Sequence, residues 1–251
     1  MKILFLGKDD RYKIVIDTLK LKNDIYTIGY DDIKGVKRGS FSNINDYDII
    51  VLPMSGLKNG RVGNVVLPCN ILNDYKGIIY TGRTEGLNGN VVSFLDDKEI
   101  REENTLITVD GIMHKIRNIC KDSICILGYG NIGSKLYDRL KDDYLVIVGV
   151  EDKDKGIIEN SFLTSNKKHL KEVLINSKLI INTVPKHIID EDILKNIEGS
   201  FLDIASTPYA IDQVKVSDYP FEYQLYSSIP SKFAPNRAGK VLLKKFEGVK
   251  F

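Results

Sequence analysis

Short, almost purely apolar runs alternate with longer amphipathic segments along the whole chain. Lys2 to Leu6 is apolar after its first residue and stops at Gly7; YKIVIDTLKL (12–21) then has helical spacing, and IYTIGY (25–30) is apolar again. A four-residue apolar run bounded by a glycine predicts a buried strand, and the 3–4 spacing that follows predicts a helix packed on it. The three together predict a βαβ unit. Two more runs, DIIVLP (48–53) and GIIYTG (77–82), are bounded by turn residues and predict further buried parallel strands, with ligand-facing loops at their carboxyl ends.

The segment 104–120, NTLITVDGIMHKIRNIC, gains helical character toward its end and separates two strand-rich halves. Beyond it the same order restarts. SICILGYGNIG (123–133) is followed by helical SKLYDRLKD (134–142), the run YLVIVGV (144–150), helical KKHLKEVLINS (167–177), the run KLIINTVP (178–185), helical DEDILKNI (190–197) and the run SFLDIAS (200–206). The pattern predicts an α/β protein of two Rossmann-like, doubly wound parallel-sheet domains in tandem, with a cleft between them. The first is expected over 1–104 and the second, dinucleotide-binding, over 105–235. The apolar face of AGKVLLKKFEGV (238–249), with Val241, Leu242 and Phe246, predicts a C-terminal helix over about 236–251 that packs back on the first domain. Just before it, SSIPSKFAPNRAG (227–239) shows no clear periodicity, and its two prolines suggest a stiffened wall beside a ligand.

Composition removes several function classes. With 36 Lys and Arg against 34 Asp and Glu, the formal charge is +2 and well mixed, which leaves no electrostatic footprint for nucleic acid. No window reaches the roughly 18 apolar residues of a membrane span, and the N-terminal apolar run is too short for a signal sequence, so a cytoplasmic protein is expected. Cys69, Cys120 and Cys125 form no CxxC and lie apart from His114, His169 and His187, so no metal site is expected and the thiols are read as reduced and mostly buried.

The strongest local signal is Gly128-Tyr129-Gly130-Asn131-Ile132-Gly133, directly after an apolar strand and directly before a helix. In that context Gly128 permits the tight turn, Gly130 lets the backbone approach a pyrophosphate, and Gly133 lets helix and strand pack closely. The helix N-terminus then offers oriented N–H groups to the anion. Glu151 follows the next strand, eighteen residues after Gly133, near the spacing at which an acid accepts from the ribose hydroxyls. This favours NAD over NADP, a preference that Lys153 and Lys155 blunt. Thr183, Val184 and Pro185, with Ala205 and Ser206, sit past the ends of later strands, where the rest of a dinucleotide should pass. The first half offers only Gly7-Lys8-Asp9-Asp10-Arg11 after its first strand, so it is expected to bind substrate instead.

Several segments carry a resemblance over nearly the whole length: GKDDR (7–11), VLPMSG (51–56), TVDG (108–111), ILGYGNIG (126–133), INTVP (181–185), LDIAS followed by Pro208, and IPSKFAPNRAG (229–239). In this order and spacing the chain resembles the NAD(P)-binding A subunits of dipicolinate synthase. The resemblance implies oxidation of a dihydrodipicolinate to pyridine-2,6-dicarboxylate, with hydride transfer to NAD or NADP. It also implies the flavoprotein-like B subunit of dipicolinate synthase as partner, the mother cell of a sporulating bacterium as setting, and leaves room for a homo-oligomer. The chain departs from the family pattern at Lys8, at Glu151 and at Asn236-Arg237.

A dianionic heterocycle needs cations or amide donors for its two carboxylates, and arginine offers a planar bidentate fork. Arg11, Ser55, Gly56, Arg83 and Arg237 are therefore the candidate substrate anchors, with Thr81 to Thr84 around Arg83. No catalytic acid or base is assigned; His114 and His187 read as structural, and Asp203 as a strand-end cap more than a catalyst. Two rivals stand beside this reading. A 2-hydroxyacid dehydrogenase would need a general acid or base histidine after the last Rossmann strands, yet no histidine lies between Asp203 and Phe251. A regulatory protein that binds dinucleotide without performing chemistry is the other.

Overall fold

The computed structural model describes residues 1–119, 122–151, 158–212 and 216–247. The chain divides into two compact units, Met1–Ile107 with Pro230–Phe251, and Thr108–Ile229. Unit 1 contains β1 (Lys2–Leu6), α1 (Tyr12–Leu19), β2 (Asp24–Ile28), β3 (Lys37–Arg38), β4 (Ile49–Val51), β5 (Ile78–Thr81), β6 (Asn90–Ser93) and the start of α2 (Lys98–Lys115). The six strands of its main sheet are all parallel, in the order β3-β2-β1-β4-β5-β6.

Helix α1 buries Tyr12, Val15, Ile16 and Leu19, the i, i+3, i+4, i+7 stripe that a sheet-facing helix requires. These side chains meet Ile3, Phe5, Ile25, Ile49 and Val51 from one face of the sheet. The opposite face, with Leu4, Leu6, Ile50 and Ile79, is covered by Ile44, Tyr47, Val62, Leu72 and Tyr75. Loops, a short 3-10 turn (Ile44–Asp46) and an antiparallel ribbon over Leu57–Lys58, Arg61–Val62 and Val65–Val66 supply that cover. The strand order is thus doubly wound, while α-helices pack on one face only among the described residues.

Unit 2 contains β7 (Ser123–Leu127), α3 (Asn131–Leu140), β8 (Leu145–Val150), β9 (Ser161–Leu163), α4 (Lys167–Asn176), β10 (Leu179–Asn182), α5 (Glu191–Leu194), β11 (Ser200–Asp203) and β12 (Tyr223–Leu225). Its six parallel strands run β9-β8-β7-β10-β11-β12. Both sheets therefore share one winding order, reversing direction between β1 and β4 in unit 1 and between β7 and β10 in unit 2. Open α/β sheets bind ligands at such reversals, outside the carboxyl ends of the strands.

The C-terminal segment returns to unit 1 as α6 (Ile229–Phe233) and α7 (Pro235–Glu247). Helix α7 buries Ala238, Leu242 and Phe246 at fourfold spacing, and the Phe246 ring lies 5.1 Å from Tyr80 and 6.0 Å from Phe94. The stretch 229–239, which lacks sequence periodicity, is therefore mostly helical. Pro235 opens α7 and Pro230 stands in the first turn of α6, where a missing N–H costs nothing and a fixed φ is already helical. Cys125 is buried, whereas Cys69, expected to be buried, is exposed on a loop; Cys120 lies outside the described residues.

Candidate functional site

Each glycine of the 128–133 turn answers to a different constraint. Gly128 has φ +99°, and a Cβ there would stand 2.4 Å from Thr183 Oγ1 and 2.8 Å from Val184 Cγ2. A Cβ on Gly133 would lie 2.0 Å from the Gly128 carbonyl oxygen, so helix α3 can approach β7 only because this residue has no side chain. Gly130 is different. Its backbone is extended, at φ −85° and ψ −162°, and a Cβ would meet nothing within 4 Å. The protein's own packing does not demand a glycine here, so the open space suits an external group. Helix α3 begins immediately after, with no side chain capping its N-terminus and no acid in its first turn. Such an end presents oriented N–H groups to an anion.

The loops after β10 and β11 are fixed by one buried polar network. Asp203, fully buried at the end of β11, accepts from Asn182 Nδ2 at 2.9 Å, from the N–H groups of Ala205 and Ala210 at 3.1 Å each, and from the Tyr223 hydroxyl at 3.1 Å. Asn182, also fully buried, uses its amide to bridge the N–H (3.1 Å) and carbonyl (3.0 Å) of Val184. Thr183 is tied to β7 through its N–H (2.9 Å) and hydroxyl (2.8 Å), both donated to the Leu127 carbonyl. These bonds seat Thr183, Val184, Pro185 and Ala205 at the carboxyl edge, with Ser206 next in the chain. They identify Asp203 as the cap of the strand end. On the other side of β7, Glu151 is exposed and accepts from Lys186 Nζ at 2.6 Å. Lys153 and Lys155 lie outside the described residues.

In unit 1 the corresponding edge is built around a buried ion pair. Asp9 and Arg11, only 6% and 8% exposed, meet through Arg11 Nε to Asp9 Oδ1 (2.8 Å) and Arg11 Nη2 to Asp9 Oδ2 (2.6 Å). Burial pushes the Asp9 carboxyl up, but the bonds and charge of Arg11 outweigh it and hold the group below the usual carboxylate range. Four separate segments converge on this pair. The Met54 N–H reaches Asp9 Oδ2 at 3.4 Å, the Tyr30 hydroxyl accepts from the Asp9 N–H at 3.2 Å, and Ser231 Oγ donates to Asp9 Oδ1 at 3.4 Å. Gly239 lies against Arg11 so closely that a Cβ would stand 2.2 Å from the Arg11 carbonyl oxygen.

The next two loops continue that edge. Gly56 (φ +67°) and Gly82 allow the segments after β4 and β5 to interleave, since a Cβ on Gly56 would meet the Arg83 carbonyl oxygen at 2.6 Å and one on Gly82 the Met54 carbonyl oxygen at 2.3 Å. Thr81 Oγ1 ties the two loops through the carbonyls of Pro53 (3.3 Å) and Arg83 (3.0 Å). Ser55 is exposed and Arg83 half-buried.

The structure thus gathers Arg11, Ser55, Gly56 and Arg83 along one edge of unit 1. Arg237 stands nearby on α7, where its Nε donates to Glu103 Oε1 at 2.5 Å; Glu103 and Arg11 line the same cavity of about 10 Å³. Asp9, Asn182, Lys186 and Ser231 escaped the reading by sequence. The Asp-x-Arg spacing was a signal for the first; the others act through contacts distant along the chain. His187 is exposed, as is His114. Among the described residues no cluster of His, Cys, Asp and Glu is arranged to hold a metal ion, and no helix is long and apolar enough to cross a membrane.

No protein-family model matches the chain, and no curated protein matches it. Solved structures do. The chain is similar to the A subunit of dipicolinate synthase from Bacillus halodurans, with a TM-score of 0.77 and 22% identity, covering 98% of this chain and 96% of that one. The corresponding dipicolinate synthase structure from Bacillus subtilis matches with a TM-score of 0.72 and 24% identity, over 98% and 94%. The NAD+-bound 3-phosphoglycerate dehydrogenase of Entamoeba histolytica matches with a TM-score of 0.54 and 12% identity, over 100% and 97%. The chain therefore has the fold of NAD-dependent dehydrogenases.

Proposed function

We propose that the chain is the A subunit of a dipicolinate synthase, a nicotinamide-dependent oxidoreductase that aromatises a dihydrodipicolinate. The observation that carries the oxidoreductase reading is the open space over Gly130, a glycine the protein's own packing does not require. The substrate reading is supported by the likeness to the two dipicolinate synthase structures along 98% of the chain, at TM-scores well above that of the 3-phosphoglycerate dehydrogenase. Further support comes from GKDDR, VLPMSG, TGR and IPSKFAPNRAG. GKDDR, VLPMSG and IPSKFAPNRAG, scattered in sequence, meet around Asp9 and Arg11, and TGR packs against VLPMSG.

The residues fit a dinucleotide. The backbone at Gly130 and the first N–H groups of α3, on Asn131 and Ile132, would hold the pyrophosphate, and Glu151 would face the ribose. The loops at Thr183–Pro185 and Ala205–Ser206 would carry the remainder, held in place by Asn182 and Asp203. A bound nicotinamide supplies the hydride acceptor. The chain's own contribution is then alignment and charge. Arg11, kept in one orientation by Asp9, with Ser55, the Gly56 N–H and Arg83, would receive the two carboxylates of the substrate. The substrate would lose a hydride to the nicotinamide and a proton to water, and the ring gained is aromatic, so the reaction itself provides much of the driving force. This is consistent with an edge that carries no histidine. A flavoprotein-like B subunit belongs to the same proposal as partner, and the sporulating mother cell as setting.

The test is a coupled assay. The chain and the B subunit, given freshly prepared dihydrodipicolinate and NAD or NADP, are expected to form dipicolinate with matching nicotinamide reduction. Absence of product with either cofactor, while both proteins are folded and the chain binds nucleotide, would remove the substrate reading.

A further inference from the structure

Read alone, Glu151 is an acid that favours NAD, because a carboxylate at the end of the second Rossmann strand accepts from the ribose 2′-hydroxyl and repels a 2′-phosphate. The structure gives that acid a partner. Glu151 follows β8 and Lys186 lies four residues past β10, and these two strands flank β7 on opposite sides. Their 2.6 Å ion pair therefore spans the carboxyl end of β7, where the glycine turn begins. Both side chains are largely exposed, at 69% for Glu151 and 56% for Lys186, so each can turn toward an incoming ligand.

The backbone beneath Lys186 is held much more firmly than its side chain. Its N–H donates to the Val184 carbonyl at 3.0 Å, and Val184 is bracketed by the buried Asn182 amide, itself bonded to Asp203. On the far side Lys167 Nζ donates to the Ile188 carbonyl at 3.0 Å and meets Asp190 at 3.0 Å, so that cation is already engaged. The base of Lys186 is thus fixed beside the ribose position, while its ammonium has the reach of a flexible four-carbon stem.

We infer that Lys186 is the residue that sets the response to a ribose 2′-phosphate. With a 2′-hydroxyl present, Lys186 stays on Glu151 and orients its carboxylate toward the ribose. With a 2′-phosphate present, the ammonium turns to the phosphate and offsets the repulsion from Glu151. The chain accordingly accepts both NAD and NADP. This rests on the dinucleotide reading of unit 2, and it deepens that reading by naming the group that decides between the two cofactors.

The experiment is fluorescence or calorimetric titration of the full chain with NADH and NADPH, independent of turnover. Wild type is expected to bind the two within about tenfold of each other. Lys186→Ala should weaken NADPH by about fivefold to tenfold, while NADH changes by less than about threefold. Lys186→Arg should keep NADPH binding, and Glu151→Gln should strengthen it. An NADPH to NADH ratio unchanged in Lys186→Ala overturns the inference but leaves the dinucleotide reading intact. So does a wild type that binds NADH alone, or a ratio that responds to Lys153→Ala or Lys155→Ala and not to Lys186→Ala. Binding of neither nucleotide to wild type overturns the dinucleotide reading, and this inference with it.

Discussion

Replacing Gly130 with aspartate should push stability and ligand binding in opposite directions. The residue occupies the N-cap of α3 with an extended backbone that any amino acid adopts, and a Cβ there meets nothing within 4 Å. The helix currently has neither a capping side chain nor an acid in its first turn. An aspartate would accept from the second or third helical N–H, worth a few tenths of a kcal/mol over glycine, and its charge would add about 0.3–1 kcal/mol at the positive end of the helix dipole. The expected gain is about 0.5–1 kcal/mol, or roughly 1–4 °C in Tm for a chain of this size. The same carboxylate sits where the pyrophosphate would approach, so dinucleotide affinity should be lost. Differential scanning fluorimetry reports the first quantity and isothermal calorimetry with NADH and NADPH the second. Unchanged affinity would refute the assignment of the glycine turn. Loss of stability together with binding would refute the argument that the packing does not need this glycine. Gly133→Ala is the informative contrast: its Cβ would collide with the Gly128 carbonyl at 2.0 Å, and the expected cost is about 3 kcal/mol or more.

Other substitutions probe the two edges. Asp203→Ala would leave two backbone N–H groups, the Asn182 amide and the Tyr223 hydroxyl without their shared acceptor, and should cost about 3–5 kcal/mol in chemical denaturation; a loss below about 1 kcal/mol would remove the capping role. Asp9→Asn strands the buried Arg11 charge and should cost about 3–5 kcal/mol. Because the folded Asp9 carboxyl is held below its ordinary value, its contribution is complete above about pH 4 and is lost as pH falls through the lower folded value. The wild type should therefore weaken in that acid window more steeply than Asp9→Asn, and parallel curves would contradict the coupling. Arg237→Ala breaks an exposed pair with Glu103 and should change stability by less than about 1 kcal/mol. Its KM for dihydrodipicolinate should rise; an unchanged KM would make the segment 229–239 a structural connection only.

Eight of the twelve parallel strands were legible because each is a short apolar run closed by a turn residue, whereas the edge strands β3, β6, β9 and β12 are too short or too polar to show one; α1 and α3 were legible because their buried positions recur at helical spacing. The glycine turn was equally legible, since the requirement is local: three glycines between one strand and one helix. The loops at the carboxyl edge of the unit 1 sheet were only partly so. Ser55, Gly56 and Arg83 were found as residues past strand ends, but the interleaving of Gly56 with Arg83 and Gly82 with Met54 joins loops nearly thirty residues apart. Helix in 229–239 was masked by Pro230 and Pro235, which carry no apolar stripe yet suit the first turn of a helix.

What the sequence determined by itself was the alternation of strand and helix, the glycine turn and the residue types available at each strand end, because backbone preference and hydrophobic period act over a few neighbouring positions. The tertiary structure alone decided the charge state of the neighbourhoods. It gave Arg11 to Asp9, Glu151 to Lys186 and Arg237 to Glu103, and made Asp203 a cap with four donors around it. Electrostatic pairing depends on distances of a few ångströms in space, and Glu151 and Lys186, Arg237 and Glu103, and Asp203 with Asn182 and Tyr223 stand tens of residues apart along the chain. A lone acid or arginine in the sequence therefore carries no sign of whether its charge is already answered.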